Sequence, residues 1–582
     1  MPTVNMPQVD GGPIAPEMFG GNFLADRYTL GGAKGIEGLI EDLGVNGLRY
    51  PGGSLTERLF DIRTPDSPTA INDDGSIRDF VPLSDFMAYA EAHDHPVTIV
   101  IPTRDNLSRM TDGNGDRFPA FNEAELRDFV RDLATGEYGD AKISALEIGN
   151  EYWGSGEMTA VEYGRLSSRI ADVIGDELDQ VAAQTGRDPG IDILVQSGQN
   201  SGYSNLSEEF SGQSTEDVLD TLNDRYGTDF GREVVFGGGR INWRAVNDEL
   251  VIREFSPDEA EAVDGVVTHL YSKESVSPGQ RDFGLTQIGR SWEQEFPGID
   301  IHVTEWNQSA ADTRLEDDED FGLAHAHEVL NVFESMVEAG VDEAHVWPLL
   351  QNTRNALSPD SLDGGLSPAG ELFSMMSRAL PGKQMLDFKV SDDAITEFQG
   401  VHADLHGFYG DGELVFYLAS TAQTTETLSF DLSEMVAEGG AVTATIIGVP
   451  RGAKPNGIRT EAELERVPEE EVWDDGRIIT TLDPGEILEL RVTEFRPTAE
   501  FGAVMGRIDG LDEGPMVPDP LPDSPAIDDD FDLPKIPLPV EDDPDGDSDD
   551  VGSDDDDGGG IMDGLGWLLG ILPLLALAGL AG

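Results

Sequence analysis

Apolar and polar positions fall into two regimes along the chain. From about Phe19 to Pro381, short apolar runs rich in β-branched residues alternate with amphipathic stretches of helical period. The runs cover 20–24, 47–50, 97–102, 143–149, 191–196, 263–270, 299–304 and 344–350. The stretches between them predict helices, for example over 83–92, 123–133, 160–174 and 321–339. Strands alternating with helices imply parallel βαβ units, and eight such units predict a (β/α)8 TIM barrel over 18–381. A doubly wound open sheet is the alternative, weakened because no G-x-G-x-x-G follows the first strand.

After Pro381 the pattern becomes strand-like alternation broken by turn signals, at 394–398, 405–409, 413–419, 427–431, 441–448, 477–481 and 487–493. Gly410-Asp411-Gly412 reads as a hairpin turn. This predicts an all-β sandwich over 382–497, completed by a strand from 2–10 within an N-terminal extension over 1–17. Residues 498–560 read as a disordered acidic linker rich in Pro, Gly and Asp, and 561–582 as a hydrophobic C-terminal tail. The charge-free stretch 564–582 is borderline for spanning a bilayer, and no Lys or Arg follows it.

Charge narrows the function classes. The formal net charge is −77, and residues 501–582 hold 21 acids against 2 bases, so about −58 remains on the preceding 500 residues. Such a surface repels nucleic acid and anionic membranes. With seven lysines in all, it also suggests a halophilic or marine source. The absence of cysteine excludes disulfides and thiolate metal sites. The N-terminus has neither a basic nor an apolar signal region. The expected location is secreted or cell-surface, with the tail as an export or anchoring signal.

Two stretches carry candidate chemistry. Glu151 follows the apolar run 143–149, and Glu305 follows 299–304, so each glutamate stands where a buried strand ends. Two carboxyls at strand ends, far apart in sequence, are what a sugar-cleaving site requires: one protonates the leaving oxygen and the other attacks the anomeric carbon. The neighbouring strand ends supply Arg49, Arg104, Asn150, His269, Tyr271 and Trp347. Taken singly, each has an ordinary reading as a rim charge, a buried polar group or a core ring. The joint pattern favours a site.

This ordered set resembles clan A of the retaining glycoside hydrolases, which carry an Asn-Glu acid/base on strand four and a glutamate nucleophile on strand seven. Arg49-Tyr50-Pro51-Gly52-Gly53 is most similar to families 51, 39 and 79, and the trailing sandwich also to family 30. The resemblance implies Glu151 as acid/base, Glu305 as nucleophile held ionised by Arg49 and Tyr271, and Asn150 on the sugar 2-hydroxyl. Trp347 would lie under the sugar ring, His269 would orient a neighbour, and Arg104 would bind substrate. The implied activity is retaining hydrolysis of a plant- or algal-type poly- or oligosaccharide, with no cofactor and no metal. The alternatives are a non-catalytic carbohydrate-binding or cell-surface protein, and an export protein whose function lies in its tail.

Weaker signals remain. Asp112-Gly113-Asn114-Gly115-Asp116 with Glu123 mimics a calcium loop, but Arg117 stands where that loop requires glycine, so an ordinary turn is expected. Residues 543–550 resemble a degenerate acidic calcium repeat, for which a solvated linker is the simpler reading. Arg49, Arg58, Arg63, Arg104 and Arg109 cluster near the second and third strand ends, suited to an anionic sugar or, more simply, to ion pairing. Gly52-Gly53 lacks the lysine of a phosphate loop.

Overall fold

The computed structural model describes residues 3–9, 11–32, 35–273, 278–358, 365–388, 398–400 and 402–510; the acidic stretch from 511 and the apolar tail lie outside them. Eight parallel strands close a barrel in sequential order: β1 Gly20–Asn22, β2 Leu48–Tyr50, β3 Val97–Ile101, β4 Ile143–Ile148, β5 Asp192–Gln196, β6 Gly265–Ser272, β7 Asp300–Gln308 and β8 Glu343–Val346, with β8 pairing β1. Each predicted run overlaps one of them, though β6 and β7 continue to Ser272 and Gln308, past the predicted ends at 270 and 304, and β8 begins one residue early at Glu343. Helices cover the outer face, so the strands are buried on both sides and read as nearly continuous apolar runs. Ala145, Leu194 and Val267 pack together within the barrel.

Helix Ala160–Thr185 extends past the predicted end at 174, because its apolar stripe continues through Leu178 and Val181. A capping box of Thr159 and Glu162 starts it, and Gly186 at φ 72° ends it. Two hairpins, Thr69–Ile71 with Ile77–Asp79 and Leu107–Thr111 with Arg117–Pro119, follow β2 and β3. The apolar pattern predicts no strands there, since these short pairs are largely exposed and carry little apolar alternation.

Strand β7 departs from regular pairing. His269 of β6 lies opposite Glu305 although Thr268 lies opposite Val303, and the β8 pairing shifts between Val303 and Trp306 as well. One extra residue in β7 is a β-bulge, which re-aims side chains locally.

The second half of the chain forms a seven-stranded sheet. Its order is Gln384–Leu386, Ala403–Gly410, Glu413–Ser420, Ile487–Pro497, Val436–Gly448 and Glu463–Val467, with Phe398–Gly400 pairing Ala403–Gly410. The pair Glu426–Asp431 and Arg477–Leu482 packs on it through Leu428, Phe430, Ile478 and Leu482, completing a sandwich core with Leu405, Phe416 and Leu488. Asp411 and Gly412, at φ 53° and 75°, make the two-residue turn between Gly410 and Glu413. Near the N-terminus, Thr3 bridges Asp431, Gln8 bridges Asp387, and Val4 enters the sandwich core.

One expectation needs correction. Residues 499–509, assigned to disordered linker, form helix Ala499–Asp509: Thr498 caps it, and Phe501, Val504 and Ile508 bury one stripe against the sandwich. The acidic composition of the stretch beyond masked that local period. The described residues within 3–206 and 244–510 form one compact unit, carrying barrel and sandwich, and Ser207–Trp243 belongs to a second. The latter holds helix Thr215–Tyr226, capped by Ser214, and a stack of Phe210 on Trp243. Among the described residues no helix is long and apolar enough to cross a membrane.

Candidate active site

The site gathers at the C-terminal mouth of the barrel, around a buried arginine. Arg49, on β2, is fully buried, as is Glu147 on β4. An isolated charge in such surroundings would cost several kcal/mol, so each needs a partner. Arg49 donates from Nε to Glu147 Oε2 at 2.7 Å and from Nη2 to Glu147 Oε1 at 2.9 Å. The same guanidinium reaches Asn22 Oδ1 at 2.9 Å, Asn150 Oδ1 at 2.8 Å and Glu305 Oε1 at 3.1 Å. One planar fork thus ties together β1, β2, β4 and β7. Burial opposes its charge, but Glu147 and Glu305 outweigh it and hold its pKa above the ordinary arginine value.

The bulge in β7 explains how Thr304 and Glu305 both serve the interior. Side chains of adjacent strand residues normally point to opposite faces. Here the Thr304 hydroxyl donates to Glu147 Oε1 at 3.3 Å, while Glu305 receives Arg49 on Oε1 and the Tyr271 hydroxyl on Oε2 at 2.8 Å. Burial first, and then Glu305, push the Tyr271 pKa well above its usual value, so the phenol keeps the proton it donates.

Glu151 arrives from the loop after β4. Gly149 there takes φ 76° and Glu151 φ 44°, a left-handed conformation unusual for glutamate. A side chain at Gly149 would come within 2.8 Å of Thr103 Oγ1. Glu57, on helix Leu55–Leu59, holds this turn: it accepts from the backbone N–H groups of Asn150 at 2.8 Å, Thr103 at 2.9 Å and Arg104 at 2.7 Å. Gln196 on β5 adds bonds to Glu147 at 3.2 Å and to the Gly149 carbonyl at 2.9 Å.

The two glutamates meet across His269. Its Nδ1 lies 3.3 Å from Glu151 Oε1 and 3.7 Å from Glu305 Oε2, and its Nε2 lies 3.3 Å from Thr304 Oγ1. One oxygen from each carboxylate and one ring nitrogen all lie within 4.8 Å of one another. Burial disfavours the imidazolium, but Glu305 and Glu151 outweigh it and raise the His269 pKa. The environments of the two carboxylates differ: the Glu151 side chain is 35% exposed and that of Glu305 only 7%. The three groups offer a donor set for a divalent cation. Arg49, however, already places a positive charge 3.1 Å from Glu305, and its repulsion opposes a metal there.

Trp347, immediately after β8, stands beside the same carboxylate. A Cβ added at Gly53 would lie 2.7 Å from the Trp347 ring and 3.4 Å from Glu305 Oε1, so the glycine keeps space open between ring and glutamate. Trp153, two residues after Glu151, meets His269 edge-on at 6.1 Å between ring centres.

Arg49, Asn150, Glu151, His269, Tyr271, Glu305 and Trp347 are therefore brought together. Arg104 is differently occupied: its guanidinium pairs with Glu157 at 2.7 Å and Asp73 at 3.4 Å. Arg63 pairs with Asp61, and Arg58 and Arg109 are exposed, so three of the five clustered arginines are committed to carboxylates. The calcium-like stretch is the turn of a hairpin. There Asp112 accepts the N–H groups of Asn114 and Asp116 and pairs with Arg165 at 2.7 Å, while Asp116 accepts from the Thr159 hydroxyl. The repeat at 543–550 lies outside the described residues.

Glu147, Glu57, Asn22, Gln196 and Trp153 belong to the site as well, although the strand-end pattern assigns them no role. A signal for Glu147 was present: a carboxylate inside an apolar strand demands a buried cation, and Arg49 lies inside another such strand. Glu57 carried no comparable mark.

No protein-family model matches the chain, and no curated protein matches it in sequence. Solved structures do share its fold. An α-L-arabinofuranosidase from Thermotoga maritima, in complex with arabinose, is 14% identical with a TM-score of 0.54, over 83% of this chain and 98% of that one. The family GH51 α-L-arabinofuranosidase of Thermotoga petrophila RKU-1 is 13% identical with a TM-score of 0.54, over 83% and 98%. The GH51 arabinofuranosidase of Xanthomonas axonopodis pv. citri is 13% identical with a TM-score of 0.50, over 83% and 97%. At these identities the likeness is one of fold: a closed eight-stranded parallel barrel with a β-rich second domain.

Proposed function

We propose that the protein is a retaining glycoside hydrolase that cleaves O-glycosidic bonds of a plant- or algal-type poly- or oligosaccharide. The observation that carries this reading is the pair Glu151 and Glu305, with carboxylate oxygens no more than 4.8 Å apart at the mouth of the barrel. Retaining pairs stand about 5–5.5 Å apart, whereas inverting pairs stand about 6.5–9.5 Å apart to admit a water between sugar and base. The closeness supports double displacement.

In the first step Glu305 Oε attacks the anomeric carbon while Glu151 gives its proton to the departing oxygen. In the second, Glu151 takes a proton from water, and that water displaces Glu305 from the sugar. Arg49 and Tyr271 keep the Glu305 carboxylate oriented through one donor on each oxygen. The greater exposure of Glu151 suits a group that must exchange its proton each cycle. His269 lies against both carboxylates, 3.3 Å from Glu151 Oε1 and 3.7 Å from Glu305 Oε2. Trp347, beside Gly53 and Glu305, supplies an apolar face for the ring.

The test is hydrolysis of aryl glycosides by wild type and Glu305→Ala in high salt. Arabinofuranosides come first, because the neighbours in fold are named arabinofuranosidases; xylosides, glucosides, galactosides and glucuronides follow. Turnover lost in the variant and partly restored by azide, as the glycosyl azide of inverted configuration, is expected. Undiminished turnover in Glu305→Ala refutes the mechanism. Binding without turnover by the wild type would leave a non-catalytic carbohydrate-binding protein.

A further inference from the structure

A second cluster of ligand-type side chains lies outside that site, where the sandwich meets a barrel helix. Strand Ala403–Gly410 alternates faces: Ala403 and Leu405 point into the sandwich core, so Asp404 and His406 share the opposite face. Helix Leu323–Glu338 presents His327 and Glu334, seven residues apart and hence on one side of the helix. Asp404 Oδ2 lies 3.0 Å from His327 Nε2, and His406 Nδ1 lies 2.9 Å from Glu334 Oε2. One donor atom from each of His327, Asp404 and His406 lies within 4.8 Å of the other two. None of the four side chains is more than 15% exposed.

We infer that His327, Asp404 and His406 form a binding site for a divalent transition metal of the zinc type, fastening the barrel helix to the sandwich strand. Two imidazoles and one carboxylate are a donor set that suits Zn²⁺, and the hard oxygen-only cages of calcium or magnesium are built otherwise. Ligands about 2.0–2.1 Å from a tetrahedral ion stand about 3.3 Å from one another, so the observed spacing closes onto a metal by small side-chain rotations. Glu334 adds an independent feature. A carboxylate on Nδ1 makes that nitrogen the donor of a neutral ring and leaves the lone pair on Nε2, the outer partnership that orients metal-binding histidines. An ion pair of Asp404 with His327 would account for two of these groups, but not for a second, fully buried histidine braced by its own carboxylate. Three protein ligands leave the fourth position to water.

The test is metal uptake by the full chain, stripped with EDTA and dialysed against zinc chloride, then against cobalt chloride, in high salt. High salt suppresses loose binding by the many surface carboxylates. Wild type is expected to retain one zinc per chain more than His327→Gln and Asp404→Asn. With cobalt it should show visible d–d bands of a low-symmetry nitrogen site that both variants lack. Circular dichroism monitors folding, and either variant alone suffices should the other fail to fold. Equal zinc content in wild type and variants, or only the weak bands of octahedral cobalt in wild type, overturns the site. The readout is metal content, so the result stands independently of the glycosidase reading.

Discussion

Replacing Glu147 with glutamine removes one charge from the interior of the barrel and nothing from its shape. Two charge-assisted bonds from Arg49, at 2.7 and 2.9 Å, lose their anionic acceptor. One of the two positions becomes an amide NH2 facing a guanidinium donor. Hydrogen bonds to charged groups contribute about 1.5–3 kcal/mol each, and breaking one partner of a buried pair costs about 3–5 kcal/mol. Glu147→Gln should therefore destabilise the fold by about 3–5 kcal/mol in urea unfolding followed by circular dichroism. Both side chains are 0% exposed, so salt cannot screen the pair. The loss should be the same at low and high ionic strength, unlike the loss from cutting the exposed Arg63–Asp61 pair. Turnover should fall too, because Arg49 is then anchored less firmly beside Glu305. A loss below about 1 kcal/mol, the range of surface pairs, or one that vanishes in high salt, would refute the argument that this pair organises the interior.

Other outcomes follow from the same geometry. Glu57→Gln replaces a carboxylate that accepts three backbone N–H groups by an amide that can accept on one oxygen only. It should lower kcat on an aryl glycoside by displacing the Asn150–Glu151 turn, while KM changes less. Burial pushes the Glu343 carboxyl up to about 7 from 4.5, partly offset by the Thr98 hydroxyl. Between these values the folded state holds a proton that the unfolded state releases, so this group's contribution to stability falls as pH rises, by about 3 kcal/mol in all. Glu343→Gln should flatten that slope, leaving stability near pH 4 unchanged and raising it above pH 7 in thermal unfolding. Gly53→Ala puts a methyl 2.7 Å from the Trp347 ring at a backbone φ of 52°, and should weaken kcat/KM at least tenfold in steady-state kinetics.

The order of the elements is written in the apolar pattern. Eight buried strands had to be apolar along their length, and the amphipathic stretches between them had to cover both the barrel and themselves, so their positions were legible from pattern alone. The glutamates after 143–149 and 299–304 stood out for the same reason: a charge at the end of an apolar run is conspicuous. Tertiary structure decided what each polar residue touches. The extra residue in β7 turns Thr304 and Glu305 to the same interior, which a period of two forbids and no local signal announces. Arg49 and Arg104 look alike in sequence, yet one is enclosed by Glu147, Asn150 and Glu305 while the other pairs at the rim with Glu157 and Asp73. Glu57 joins the loops after β3 and β4 from a helix after β2, and His406 meets Glu334 across two domains. Periodicity reports which face of an element is buried. The partner waiting on that face comes from a distant stretch of chain, and only the closed barrel brings the two together.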